Sequence, residues 1–134
     1  MLIRLTKAQR ETVRLKFGGV CAYCGQPLPD RWHADHFQAV ERWVGHKGNL
    51  IGLGRPERDT IDNFMPSCPP CNISKSSLTI EHWRNWLTGH VRSLGEHNTP
   101  YRLARTYGLI EETGRAVVFH FERIAAATGD GEAT

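Results

Sequence analysis

Two cysteine pairs, Cys21-Ala22-Tyr23-Cys24 and Cys68-Pro69-Pro70-Cys71, constrain this chain more than any other feature. In a reducing compartment such C-x-x-C pairs favour thiolate ligation of a metal over disulfides, with a redox pair or incidental core thiols as the alternatives. Four thiolates around one tetrahedral zinc leave no open position for substrate, so Cys21, Cys24, Cys68 and Cys71 read as a structural site. The 43 residues between the pairs exceed the spacing of a compact zinc ribbon, so the metal would join distant segments.

A chain of 134 residues is expected to form a single domain, 1–134, whose modest core gains from such a metal staple. Arg4, Lys7 and Arg10 interrupt the opening before an apolar stretch develops, and no later stretch is long enough to span a bilayer, so the expected compartment is the cytoplasm. Charge is uneven. Residues 1–108 carry 15 Lys or Arg against 9 Asp or Glu, whereas residues 109–134 carry 2 against 5. A basic body suits a polyanionic partner, although a solvated surface explains the same excess.

Residues 6–17 read as a helix with a Thr6/Gln9 capping box and a stop at Gly18-Gly19. Lys7, Arg10 and Arg14 recur along one face, where they could track phosphates or simply meet water. Pro27 and Pro29 predict a turn that delivers a strand over residues 31–37. Residues 38–62 show no sustained period and read as a long, basic, irregular excursion, either a substrate contact or a tolerated insertion. A second short strand is expected over 63–67, then a short helix from the second cysteine pair through Ser76 and a longer one from Thr79, with Trp83 and Trp86 as core anchors. Residues 101–107 predict another helix, residues 113–121 a strand or hairpin, and Gly129 onward a frayed tail.

Pinning Cys24 to Cys68 brings the strand ending at His36 toward the helix beginning at Cys71. Asp35 and Asn72 then offer oxygen ligands for a hard cation, and His36 can accept a proton near neutral pH. That is the pairing of Lewis acid and base a phosphodiester hydrolase needs. Taken singly, Asp35 could be a cap, His36 a core histidine and Asn72 a helix-start residue; the order of the set carries the weight. His33 is expected on an exposed strand face, and His46, His82, His90, His97 and His120 have no paired ligand spacing.

The runs C-A-Y-C-G, A-D-H-F and D-N-F-M-P-S-C-P-P-C-N-I-S-K resemble the HNH endonuclease family over residues 10–78. The resemblance implies an α+β protein with a ββα-metal core over 20–78, a structural zinc knuckle, flanking helices and a C-terminal extension over 79–128. It implies His36 as general base, Asp35 as the metal ligand before it, and Asn63 as the residue that orients the active-site loop. Asn72 stands where many members carry histidine, making this an H-N-N variant whose oxygen ligand favours Mg2+ or Mn2+ over softer metals. Lys75 would meet a phosphate. The implied activity is metal-dependent cleavage of DNA with little sequence specificity, by analogy with small phage or prophage nucleases that assist packaging. The competing reading is a zinc-stabilised nucleic-acid-binding module without catalysis.

Overall fold

The computed structural model describes residues 2–133, with side chains through Thr128. Helix α1 (Lys7–Arg14) opens on the expected capping box: Gln9 N donates to Thr6 Oγ1 at 3.1 Å and Thr6 N donates to Gln9 Oε1 at 2.9 Å. A single 3-10 turn, Leu15–Phe17, extends it. Gly18 then stops the helix with φ 70°, a left-handed conformation that glycine adopts without a Cβ clash.

Strand β1 (His33–His36) pairs antiparallel with β4 (Phe64–Ser67), with Asp35 opposite Met65 and His36 opposite Phe64. Helix α2 (Pro69–Lys75) follows β4 directly, its two prolines in the first turn where no intrahelical N–H is needed. Together β1, β4 and α2 form the ββα unit.

The segment between β1 and β4 is more ordered than the lack of periodicity suggested. It forms a second antiparallel hairpin from β2 (Arg42–Val44) and β3 (Leu50–Leu53), followed by 3-10 turns at Pro56–Arg58 and Ile61–Asn63. Strands this short, with a register shift after Trp43, leave no alternation to detect.

Helices α3 (Ile80–His97) and α4 (Thr99–Thr106) follow, capped by Thr79 and Asn98 side chains that accept from His82 N and Tyr101 N. The expected C-terminal strand is absent. Residues 111–119 form neither helix nor strand, with Gly114 at φ 66°, and helix α5 (His120–Ala133) begins where that strand is expected to end. His120 N donates to Tyr23 O and Phe121 N to Ala22 O, so the segment docks on the first knuckle rather than on a sheet. The tail expected from Gly129 falls beyond the side chains described.

The core clusters around Cys21, Tyr23, Cys68, Trp83 and Phe119. Trp83 stacks on Phe119 with centroids 4.8 Å apart, takes the Tyr23 ring edge-on at 5.2 Å, and donates its indole N–H to Ser74 Oγ at 2.9 Å. Trp86 is not a core anchor: it is 62% exposed and packs edge-on against His90. Three residues on, it has rotated past the edge of the buried stripe. A smaller cluster of Val13, Trp32 and Phe64 ties α1 to the β1/β4 pair. No helix among the described residues is long and apolar enough to cross a membrane.

Candidate active site and metal centre

The sequence-expected cysteine ligands converge. The four Sγ atoms lie within 4.8 Å of one another, and Cys24 Sγ is 3.8 Å from Cys68 Sγ. Tetrahedral zinc with bonds of about 2.3 Å requires sulfur atoms roughly 3.8 Å apart, so the residues fit that ion. The thiols also perturb one another. A hydrogen bond from Cys71 lowers the Cys21 pKa, and Cys21 in return raises that of Cys71. Four thiolates at this spacing repel unless a cation neutralises them, which is the task a divalent metal performs.

The knuckle sets two chain segments side by side. Tyr23, between the first two cysteines, donates its hydroxyl to Asp35 Oδ2 at 2.6 Å. Lys75, one turn past Cys71 on α2, places Nζ 3.1 Å from the same oxygen and 3.1 Å from His36 O. Burial first, then the neighbouring Asp35, push the Tyr23 hydroxyl well above its ordinary range, so it stays a donor. Asp35 Oδ2 is thereby held from two sides. Asp35 and Asn72 line a common cleft of about 870 Å3 that also takes in His33, His36 and Arg58.

Lys75 therefore does not serve the phosphate contact expected of it. With none of its side chain exposed, it balances Asp35 from beneath and lies 5.9 Å from the Tyr23 ring centroid. An unpaired ammonium would not be stable there, so the ion pair is what permits the burial.

His36 faces a different set of neighbours from Asp35, as alternation along a strand requires. Its ring tilts on Phe64 with centroids 4.5 Å apart, and Nε2 lies 2.9 Å from Asp59 Oδ1. A carboxylate only accepts, so Nε2 is the donor of this pair, and in the neutral ring the lone pair sits on Nδ1. The second Asp59 oxygen accepts from Ile3 N at 2.5 Å, tying the N-terminal segment over the pair.

Asn63 holds the loop that makes this possible. Its Nδ2 donates to Gln38 O at 2.8 Å and Arg58 O at 2.7 Å, and its Oδ1 accepts from Gln38 N at 3.0 Å. The turn leaving β1 is thus stitched to the segment carrying Asp59.

The basic residues divide. A second cleft, also of about 870 Å3, is lined by Arg4, Arg10, Arg31, His33, His36 and Arg42 among others. Arg10 belongs to it, but is already engaged: its guanidinium lies 4.0 Å over the Trp32 ring and donates to Trp32 O at 2.7 Å. Arg14 lines neither cleft and is bidentate to Glu11 at 2.6 and 2.8 Å, so the proposed stripe along α1 is broken.

Nothing in the sequence singles out Asp59, Tyr23, Arg4 or Arg31, whereas Arg42 belongs to the basic excursion already weighed as a substrate contact. Asp59 lies 23 residues from His36 inside a segment without periodicity that also carries Glu41, Glu57 and Asp62, so nothing local in the sequence marks it. Tyr23 was hidden between two cysteines.

No curated protein and no solved structure matches the chain. The family model described as HNH endonuclease matches residues 21–78, a span that begins at Cys21 and ends just past α2. With the ββα unit, the cysteine cluster and this match together, residues 21–78 belong to the HNH endonuclease family.

Proposed function

We propose that this protein is a metal-dependent endonuclease that hydrolyses DNA phosphodiester bonds with little sequence specificity, His36 acting as general base. The observation that carries the reading is the His36–Asp59 pair at 2.9 Å, whose histidine lines a cleft together with Asp35 and Asn72. Asp59 keeps the proton on Nε2, leaving Nδ1 to take a proton from water approaching the phosphorus. Base catalysis of this kind contributes about 10²- to 10⁴-fold.

Asp35 and Asn72 would hold a divalent cation, Mg2+ or Mn2+, which when bound supplies Lewis-acid stabilisation of charge on the phosphate and the leaving oxygen. Tyr23 and Lys75 fix the rotamer of Asp35, and Asn63 fixes the backbone after His36. Arg4, Arg31 and Arg42 would grip the DNA backbone along the second cleft, and Arg10 would add charge there from its seat on Trp32.

One observation favours the non-catalytic binding module: the Lys75 ammonium beside Asp35 already offsets the charge a cation would seek. Supercoiled plasmid with magnesium separates the two. Nicking by the wild type that is lost in His36→Ala supports the nuclease. Binding without nicking, or nicking that survives the substitution, overturns it.

A further inference from the structure

The β2–β3 hairpin projects beside the clefts and carries a chemistry that the active site does not use. All three residues of β2 are exposed, and Trp43 is 59% exposed. Its ring is nevertheless fixed. A Cβ on Gly52, the cross-strand partner, would come 3.1 Å from Trp43 Cε3, and one on Gly54 would come 2.9 Å from Glu41 Oε2 and 3.0 Å from Trp43 Nε1. The indole therefore rests over Gly52 and, beside the Glu41 carboxylate, Gly54, while most of it stays exposed.

Charge is positive along the arm and acidic only at its base, where Gly54 N donates to Glu41 O. From Arg42 through Arg55 there is no Asp or Glu, while Arg42, His46, Lys47 and Arg55 are all present. Arg55 is shared with Glu41 and Glu57 at 3.9 and 3.8 Å; neither Arg42 nor Lys47 has an acidic partner among the described residues. Arg42, one residue before Trp43, lines both clefts alongside His36. The platform is thus continuous with the candidate active site.

Resting on the nuclease reading above, we infer that this hairpin is a strand-gripping arm on which an unpaired base of the nucleic acid stacks against Trp43 while Arg42 and Lys47 meet the flanking phosphates. A π-face accepts any base, which suits a site without base-edge readers. A ring that merely covers glycines has no need of the unopposed cations around it. The arm would make the protein prefer single-stranded DNA, or duplex with unpaired bases, to fully paired duplex.

The test is fluorescence anisotropy with the full chain, zinc-loaded and without added magnesium or manganese, titrated into a labelled single-stranded oligodeoxynucleotide and into a fully paired duplex carrying the same label. Trp43→Phe keeps an aromatic face, whereas Trp43→Leu keeps an apolar cover for Gly52 without one. The arm predicts tighter binding to the single strand, Trp43→Phe close to wild type, and Trp43→Leu weaker by about tenfold on the single strand. Trp43→Leu equal to Trp43→Phe, or a wild type that prefers the paired duplex, overturns the arm while leaving the nuclease reading in place. A wild type that binds neither probe and does not nick plasmid overturns both.

Discussion

His36 Nε2 and Asp59 Oδ1 are 2.9 Å apart although 23 residues separate them, and both side chains are largely shielded from water. The distance is a consequence of two other contacts. Asn63 stitches Gln38 to Arg58, and β4 holds Phe64 under the histidine ring. Base and carboxylate are thus positioned by the loop, not by the strand alone.

Replacing Asp59 by asparagine keeps the shape but lets an amide face Nε2, so the proton is no longer confined to that nitrogen. Plasmid nicking by Asp59→Asn should fall about 10- to 100-fold, by analogy with partners that orient other functional histidines. His36→Ala should fall further, by about 10²- to 10⁴-fold. Both variants should keep their zinc, measured by elemental analysis. An Asp59→Asn protein with wild-type turnover removes Asp59 from the mechanism.

Lys75 tests a different kind of dependence. Removing one member of a buried ion pair leaves the other charged without a partner, a loss of about 3–5 kcal/mol. Lys75→Met should therefore lower urea stability by that order, and the double variant Asp35→Asn/Lys75→Met should recover much of it. A phosphate-contacting lysine predicts the reverse pattern, with stability unchanged and the salt dependence of DNA binding reduced.

The cysteine cluster should hold about one zinc per chain, and its removal should unfold the domain, because the ion neutralises thiolates that otherwise repel. Cys24→Ser and Cys71→Ser are expected to lose the metal and the near-UV signal of Trp83 and Tyr23, both packed against this cluster. A soluble, metal-free Cys71→Ser protein with the native near-UV spectrum contradicts the structural role.

What was legible in the sequence follows from whether the signal is local. The capping box of Thr6 and Gln9, the cysteine pairs, Asp35-His36 and the helix carrying Trp83 are local patterns with a fixed period or spacing, and the structure places each near its expected element. Lys75 was misread because its motif position says nothing about which way α2 presents it; only packing against Tyr23 reveals that it points inward. Asp59 could not be linked to His36 without the loop contacts of Asn63. The strand or hairpin expected over residues 113–121 does not form because Val117 and Phe119 pack on the knuckle core, and His120 N and Phe121 N donate to Tyr23 O and Ala22 O.

That docking carries its own pH dependence. Arg84 on α3 makes a fork with Glu122 on α5, at 2.6 and 2.8 Å, and donates to Val117 O at 2.6 Å. The hydrogen bond from Arg84 lowers the Glu122 pKa against an opposing effect of burial. A carboxylate whose folded pKa is depressed contributes its stability above the unfolded value, near 4.3, and loses it as pH falls through the folded one. The pair remains partly hydrated, so its contribution near pH 7 should be about 1 kcal/mol rather than the larger figure of a buried bridge. Glu122→Gln should thus be less stable than wild type by that amount in urea at neutral pH. The gap should close in acid, once Glu122 is protonated in both states. Zinc release by protonated cysteines affects both proteins alike, so the difference between them isolates Glu122. A gap that stays constant from neutral pH into acid shows that the carboxylate charge has no part in holding α5 in place.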